Sequence, residues 1–138
     1  MSNMDEAIEQ ALAMKNVAIV GLSNKPDRPS NHVGAYLAAH GYQIVPVNPT
    51  EDEVLGLKAY PSISDIPADV PIEVVDIFRR GEDTPPIVEQ AIARGAKAVW
   101  LQQGITNEES RRLAEEAGML YVEDHCMRRE HIKRHDGE

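Results

Sequence analysis

The chain has 138 residues, 42% of them apolar and 27% charged, which is enough for one hydrophobic core and too few for two domains that close on a substrate. Its 14 Lys and Arg stand against 23 Asp and Glu, a net charge of -9, so a nucleic-acid backbone would be repelled and nucleic acid is not an expected partner. No apolar run approaches the roughly 20 residues of a membrane span. The start is polar and acidic rather than signal-like, and the single cysteine excludes an internal disulfide framework, so the expected setting is cytoplasmic with no membrane partner.

In chain order, Met4, Ala7, Ile8, Ala11 and Leu12 recur at helical spacing, and Asn3 with Glu6 has capping-box spacing, which predicts a helix from Asn3 to about Met14. Asn16 to Gly21 is a short apolar, β-branched run and reads as a buried strand. Leu22 to Pro29 is a polar, proline-bearing loop, after which Ser30 is the expected cap of a helix to about His40, stopped at Gly41. Tyr42 to Val47 is a second strand, Glu51 to Ala59 reads as irregular, and Ser62 to Ile66 as one helical turn with Asp65 at the capping-box position. Ile72 to Phe78 is a third strand. Thr84 is the expected cap of a helix with Pro85 at its first position and Gly95 at its end. Ala96 to Leu101 is a fourth strand, Thr106 with Glu109 predicts a capped helix to Ala117 closed by Gly118, and Met119 to Val122 is a fifth strand. The tail from Arg128 is polar and reads as frayed or helical.

Apolar strands alternating with helices predict an α/β fold: a Rossmann-like open parallel sheet of about five strands with helices on both faces. The expected strand order is 3-2-1-4-5, with the flavodoxin-like 2-1-3-4-5 as the alternative. Either order places ligands beyond the carboxyl ends of the strands.

Four loops stand there. The first, Gly21 to Ser30, combines a helix N-terminus with Ser23, Lys25, Arg28 and Ser30, the chemistry of a phosphate cradle. It is neither G-x-G-x-x-G nor a P-loop, and a solvated connection would have a similar composition. After the second strand comes Asn48-Pro49, where an NAD site would place an acid to bind the ribose, so the pattern disfavours a nicotinamide cofactor. After the third comes Phe78-Arg79-Arg80, an aromatic and two guanidiniums able to stack on a base and pair with phosphate, or simply a core ring with solvated arginines. After the fourth comes Trp100 to Ile105, with Trp100 expected in the core, Gln102 or Gln103 at the strand end, and Gly104 allowing close backbone approach. Chemistry-bearing groups are sparse. Cys126 beside His125 reads as an idle thiol, and His131 and His135 have metal-compatible spacing without a convincing third ligand, so neither a catalytic residue nor a metal is expected.

Together these segments resemble the stand-alone CoA-binding domain family, small proteins similar to the N-terminal part of the succinyl-CoA synthetase alpha subunit. The likeness runs from about Ala7 to Met127. It is carried by VAIVGLSNKPDRPS (17–30), GYQIVPVNP (41–49), Leu55-Gly56 with Ala59-Tyr60-Pro61, Phe78-Arg79-Arg80, and Trp100 with Gln102, Gly104 and Ile105. His125 to Arg129 is the loosest match. The resemblance implies coenzyme A as cofactor, as free CoA or acyl-CoA. Gly21, Ser23, Lys25, Arg28 and Ser30 would hold its phosphates, Leu22 would belong to the same cofactor-binding set, Asn48 and Pro49 would line the adenosine, and Phe78, Arg79, Gln102 and Gly104 would shape the pantetheine groove. It also implies that the histidine-bearing and nucleotide-grasping domains of the larger synthetases are missing from this chain. The expected function is therefore CoA binding without catalysis of its own. The alternatives are a CoA-presenting subunit of a multi-component acyl-CoA synthetase and an NAD(P)-binding redox sensor. A homodimer or a protein partner is the expected assembly.

Overall fold

A computed structural model describes residues 3–136, without the side chains of Asn3 and Asp136. The capping box read at Asn3 and Glu6 therefore lies outside the described residues. The elements are α1 (Asn3–Leu12), β1 (Asn16–Val20), α2 (Pro29–Ala39), β2 (Gln43–Val47), β3 (Glu53–Val54), β4 (Leu57–Lys58), β5 (Val74–Ile77), α3 (Thr84–Arg94), β6 (Ala98–Leu101), α4 (Glu108–Glu116), β7 (Leu120–Val122) and α5 (Met127–His131). A 3-10 turn spans Ile63–Asp65, and a π-helical turn, Ile132–Asp136, continues α5.

Five strands form one parallel sheet in the order β2-β1-β5-β6-β7. Numbered among themselves they run 2-1-3-4-5, so the expected 3-2-1-4-5 order is corrected to its alternative. Pro46 supplies the physical reason. Proline has no N–H to give to a second neighbour, which confines it to an edge strand. In the observed order β2 is that edge, while the other order would bury it between two strands. The outer side of β2 meets only a short return of the chain, where Tyr60 N–H donates to the Pro46 carbonyl at 3.0 Å.

Each face of the sheet carries its own core. On one, Val17, Ile19, Val74, Ala98, Trp100 and Val122 pack under α1, α2 and α5. On the other, Ala18, Val20, Val75, Ile77, Val99 and Leu101 pack under α3, α4 and the Ile63 turn. Strands buried on both faces explain the nearly continuous apolar runs in the sequence. No helix among the described residues is long and apolar enough to cross a membrane.

The helix starts differ from their sequence reading in a consistent way. Arg28, not Ser30, is the N-cap of α2, and Pro29 takes the first turn. Asn107, not Thr106, caps α4, its side chain accepting from Ser110 N–H at 2.8 Å. Thr84 is already inside α3, its hydroxyl donating to the Gly81 carbonyl at 2.8 Å and lying 2.6 Å from the Ser110 hydroxyl. In each case a hydroxyl that could cap is held by a tertiary partner or displaced by a better neighbouring cap. The stretch read as irregular, 51–59, holds the β3–β4 hairpin, turned by Leu55 (φ 56°) and Gly56 (φ 74°) in the paired left-handed conformation such two-residue turns need. The tail is helical and docked: Arg134 reaches Asp5 and Glu9 of α1 at 3.3 and 3.1 Å.

The connection from β2 to β5 has no long helix. Its last part is held by Arg94, whose guanidinium donates to the carbonyls of Ile66, Pro67 and Val70 at 2.6, 2.5 and 2.7 Å. Arg94→Met keeps much of the stem and removes the donors. We expect a loss of about 2 kcal/mol in urea unfolding, since several charge-assisted bonds vanish but their acceptors can regain water.

Candidate functional site

The observed order puts the reversal of sheet direction between β1 and β5, so the loops after these two strands meet. Phe78 N–H donates to the Val20 carbonyl at 2.9 Å, and Gly21 N–H to that of Val47 at 2.8 Å. Gly21 has φ +89°, and a Cβ there would lie 2.6 Å from the Phe78 carbonyl oxygen. Only glycine fits, because both the backbone conformation and the approach exclude a side chain.

From Gly21 the loop folds onto the start of α2. The Ser30 hydroxyl accepts from Ser23 N–H at 2.9 Å, the Ser23 hydroxyl accepts from Lys25 N–H at 3.1 Å, and Asn31 Nδ2 donates to the Ser23 carbonyl at 2.8 Å. Both hydroxyls keep their own protons for a ligand. Pro29 has no N–H, and the amides of Asn31 and His32 are used by the Arg28 carbonyl, so anion attraction here rests mainly on Lys25 and Arg28. Among the described residues neither has a carboxylate within salt-bridge distance, and the same holds for Arg79 and Arg129. Arg80, by contrast, is paired with Glu82 at 3.5 Å and Asp83 at 3.1 Å.

Gly21, Ser23, Arg28, Pro29, Ser30 and Phe78 line a recess of about 190 Å³. It shares Pro29 and Phe78 with a larger cleft of about 360 Å³, whose other walls include His32, Gln102, Cys126, Arg128 and Arg129. The two make one crevice over the ends of β1, β5 and β6. A separate hollow of about 140 Å³, between β2 and α3, takes in Pro49 and Arg79. The predicted set is thus split. Gly21, Ser23, Arg28, Ser30, Phe78 and Gln102 share the crevice, and Lys25 stands exposed on its loop. The Leu22 side chain is buried in the core, and only its carbonyl is used, by Asn48 Nδ2 at 3.0 Å. Asn48 Oδ1 also accepts from the N–H and hydroxyl of Thr50 at 2.8 and 2.9 Å, which fixes the Asn48-Pro49 corner. Gly104 (φ +85°) gives its N–H to Asp124 Oδ1 at 2.7 Å, joining the loops after β6 and β7. Trp100 is fully buried and donates to the His125 carbonyl at 2.8 Å.

Beneath the cleft lies a group the sequence reading passed over. Asp76 interrupts the apolar strand Val74-Val75-Asp76-Ile77 and is fully buried. Gln102 Nε2 donates to its Oδ1, while Oδ2 has no partner in the described structure. Burial pushes its pKa from 3.8 up to about 7, against the opposing pull of the Gln102 bond. A lone acid in a run of Val and Ile was the available signal. Arg128 and Arg129, present only in the loosest part of the resemblance, also reach the cleft, and so does half-buried Cys126. His131 Nδ1 is 2.6 Å from the Tyr36 hydroxyl and its ring stacks on His135. Among the described residues no group of three or more His, Cys, Asp or Glu is placed to hold a metal ion.

The family model for the CoA binding domain matches residues 15–132. The chain is 43% identical over 117 residues to the uncharacterized protein YneT of Bacillus subtilis, covering 85% of each. It is 33% identical over 97 residues to an acetate–CoA ligase [ADP-forming] II of Archaeoglobus fulgidus, covering 68% of this chain and 14% of the ligase. A solved structure of a hypothetical protein from Pyrococcus horikoshii OT3 superposes with a TM-score of 0.88 at 47% identity, over 96% of this chain and 92% of the other.

Two outcomes follow from the geometry. Gly21→Ala should cost about 2–3 kcal/mol in denaturant unfolding, because it adds a left-handed backbone penalty to a clash with fixed backbone. Asp76 gives a pH signature. The folded protein keeps a proton that the unfolded chain releases between about pH 4 and pH 7, so this contribution is full below pH 4 and lost as pH rises to 7. Relative to Asp76→Asn, which cannot ionise, the native protein should lose on the order of a few kcal/mol across that window in urea unfolding.

Proposed function

The chain belongs to the CoA binding domain family, and on that premise we propose that it binds coenzyme A along the crevice and presents it to acyl-CoA ligase machinery carried elsewhere. The observation that carries the reading is the unpaired Lys25 and Arg28 on a chain of net charge -9, standing over a glycine-floored recess that opens into a partly apolar cleft. A polyanionic nucleotide with a long, mostly neutral arm has that same division. Lys25, Arg28 and the hydroxyls of Ser23 and Ser30 take the phosphates, with Gly21 allowing the backbone approach. The rigid Asn48-Pro49 corner lies on the adenosine side, and Arg79 faces it across the hollow beside α3. Phe78, Gln102 and the loop at Gly104 bound the groove for the arm. No side chain of the crevice is given a catalytic role.

The presenting role is supported by the match to a small share of the Archaeoglobus fulgidus ligase, which places comparable sequence beside a much longer remainder. A free-standing CoA carrier or regulator is the second reading, favoured by the Bacillus subtilis relative, which is matched over most of its length. Pull-down from native lysate of the source cell followed by assay of acyl-CoA formation separates the two. Ligase activity appearing only in the mixture supports the first.

Calorimetric titration with CoA, acetyl-CoA, NAD and ATP tests the ligand. Saturable binding of CoA or its acyl form is the expected result, and binding of NAD or ATP alone would overturn it. Lys25→Ala and Arg28→Ala should each weaken CoA by about 1–3 kcal/mol, and affinity should fall with added salt.

A further inference from the structure

Two acids are buried among the described residues, Asp76 and Glu130. Glu130 is accounted for by Arg134 at 3.4 Å and Lys133 at 3.8 Å. Asp76 is not. In register it lies between Ile19 of β1 and Trp100 of β6, neither of which can neutralise it. Its one bond goes to Gln102, and its second oxygen is orphaned. Nothing in the packing calls for an acid there, and an apolar residue would avoid the desolvation cost. The connection to the outside is Gln102. This side chain is itself 3% exposed, lines the cleft beside Phe78 and Cys126, and makes no other hydrogen bond in the described structure.

A primary amide has an accepting end and a donating end, so whichever end faces Asp76, the other faces the cleft. An ionised Asp76 only accepts. It holds Gln102 by Nε2 and turns Oε1 outward. A protonated Asp76 can donate to Oε1, and the amide then presents its NH2 group instead. We propose that Asp76 is a positioning residue that sets Gln102 as a hydrogen-bond acceptor on the cleft floor, and that this acceptor receives an amide N–H of the ligand's pantetheine arm. The inference rests on the CoA reading and adds to it the group that recognises the arm. With its pKa near 7, Asp76 populates both states around neutrality. Arm binding favours the ionised state, so affinity contributed by the arm rises with pH. The other titratable or charged groups on the cleft are His32 of α2, Cys126, and Arg128 and Arg129 of α5.

The test titrates CoA and the β-methyl ester of adenosine 3′-phosphate 5′-diphosphate, which lacks the arm but keeps the diphosphate a diester as in CoA, into the native protein, Asp76→Asn and Gln102→Ala at pH 6, 7 and 8. The two ligands then carry the same ionisable phosphate groups, so the ratio of their affinities cancels phosphate ionisation. In the native protein the ratio should favour CoA more strongly at pH 8 than at pH 6, by roughly three- to tenfold, the scale of one hydrogen bond. It should be flat in both variants, which retain His32, Cys126 and the two arginines. Gln102→Ala leaves the buried strand intact and gives an answer even where Asp76→Asn does not fold. A flat ratio in the native protein, or the same rise in a folded variant, overturns the inference and leaves CoA binding standing. Absence of CoA binding to the native protein overturns both.

Discussion

The contact between Gly21 and the Phe78 carbonyl sets the distance between the first and third long loops, and the site depends on that distance. At φ +89° and with no Cβ, Gly21 lets the chain leave β1 against the backbone emerging from β5. The Gly21-to-Ser30 loop then lies beside Phe78 rather than above it, and the recess and the cleft become one crevice. The serines, the asparagine and the helix start behind the loop arrange themselves on this approach. Their mutual hydrogen bonds stiffen a segment that composition alone would leave as a solvated connection.

Charge organises the same region. Most cations elsewhere are matched: Arg111 and Arg112 pair along α4, Arg134 ties the tail to α1, and Arg94 is used by carbonyls. Lys25, Arg28 and Arg129 are left for the crevice. On an acidic molecule such a local excess is a focused field, which attracts an anion more by contrast than by absolute charge.

Much of this was legible in the residues. The strands, the glycine stops at Gly95 and Gly118 and the loop list follow from periodicity and turn chemistry, because those signals are local. The strand order was missed although Pro46 encodes it, since the signal is what proline fails to donate rather than a pattern it forms. The caps slid by one or two residues at Ser30 and Thr106. A hydroxyl near a helix start can be recruited by a loop amide, as Ser30 is by Ser23, and sequence spacing does not distinguish the two uses. Asp76 is readable as an acid among Val and Ile, but its partner Gln102 lies just past the end of β6, and their pairing needs the register between β5 and β6. The split of Pro49 and Arg79 from the main crevice likewise depends on three-dimensional placement alone.

The short return that lays Tyr60 against Pro46 has a consequence for how the molecule meets its neighbours. A parallel sheet whose outermost strand offers an uninterrupted row of amides and carbonyls invites another chain to add itself there. Here one border is interrupted by an imino acid and shielded by the chain's own return, and the opposite border, β7, is only three residues long. Strand addition is blocked at the first border and has only three residues to pair with at the second. A subunit or ligase component that joins this protein finds its larger surfaces in the helical layers and the loop-bearing rim, the rim that also carries the crevice.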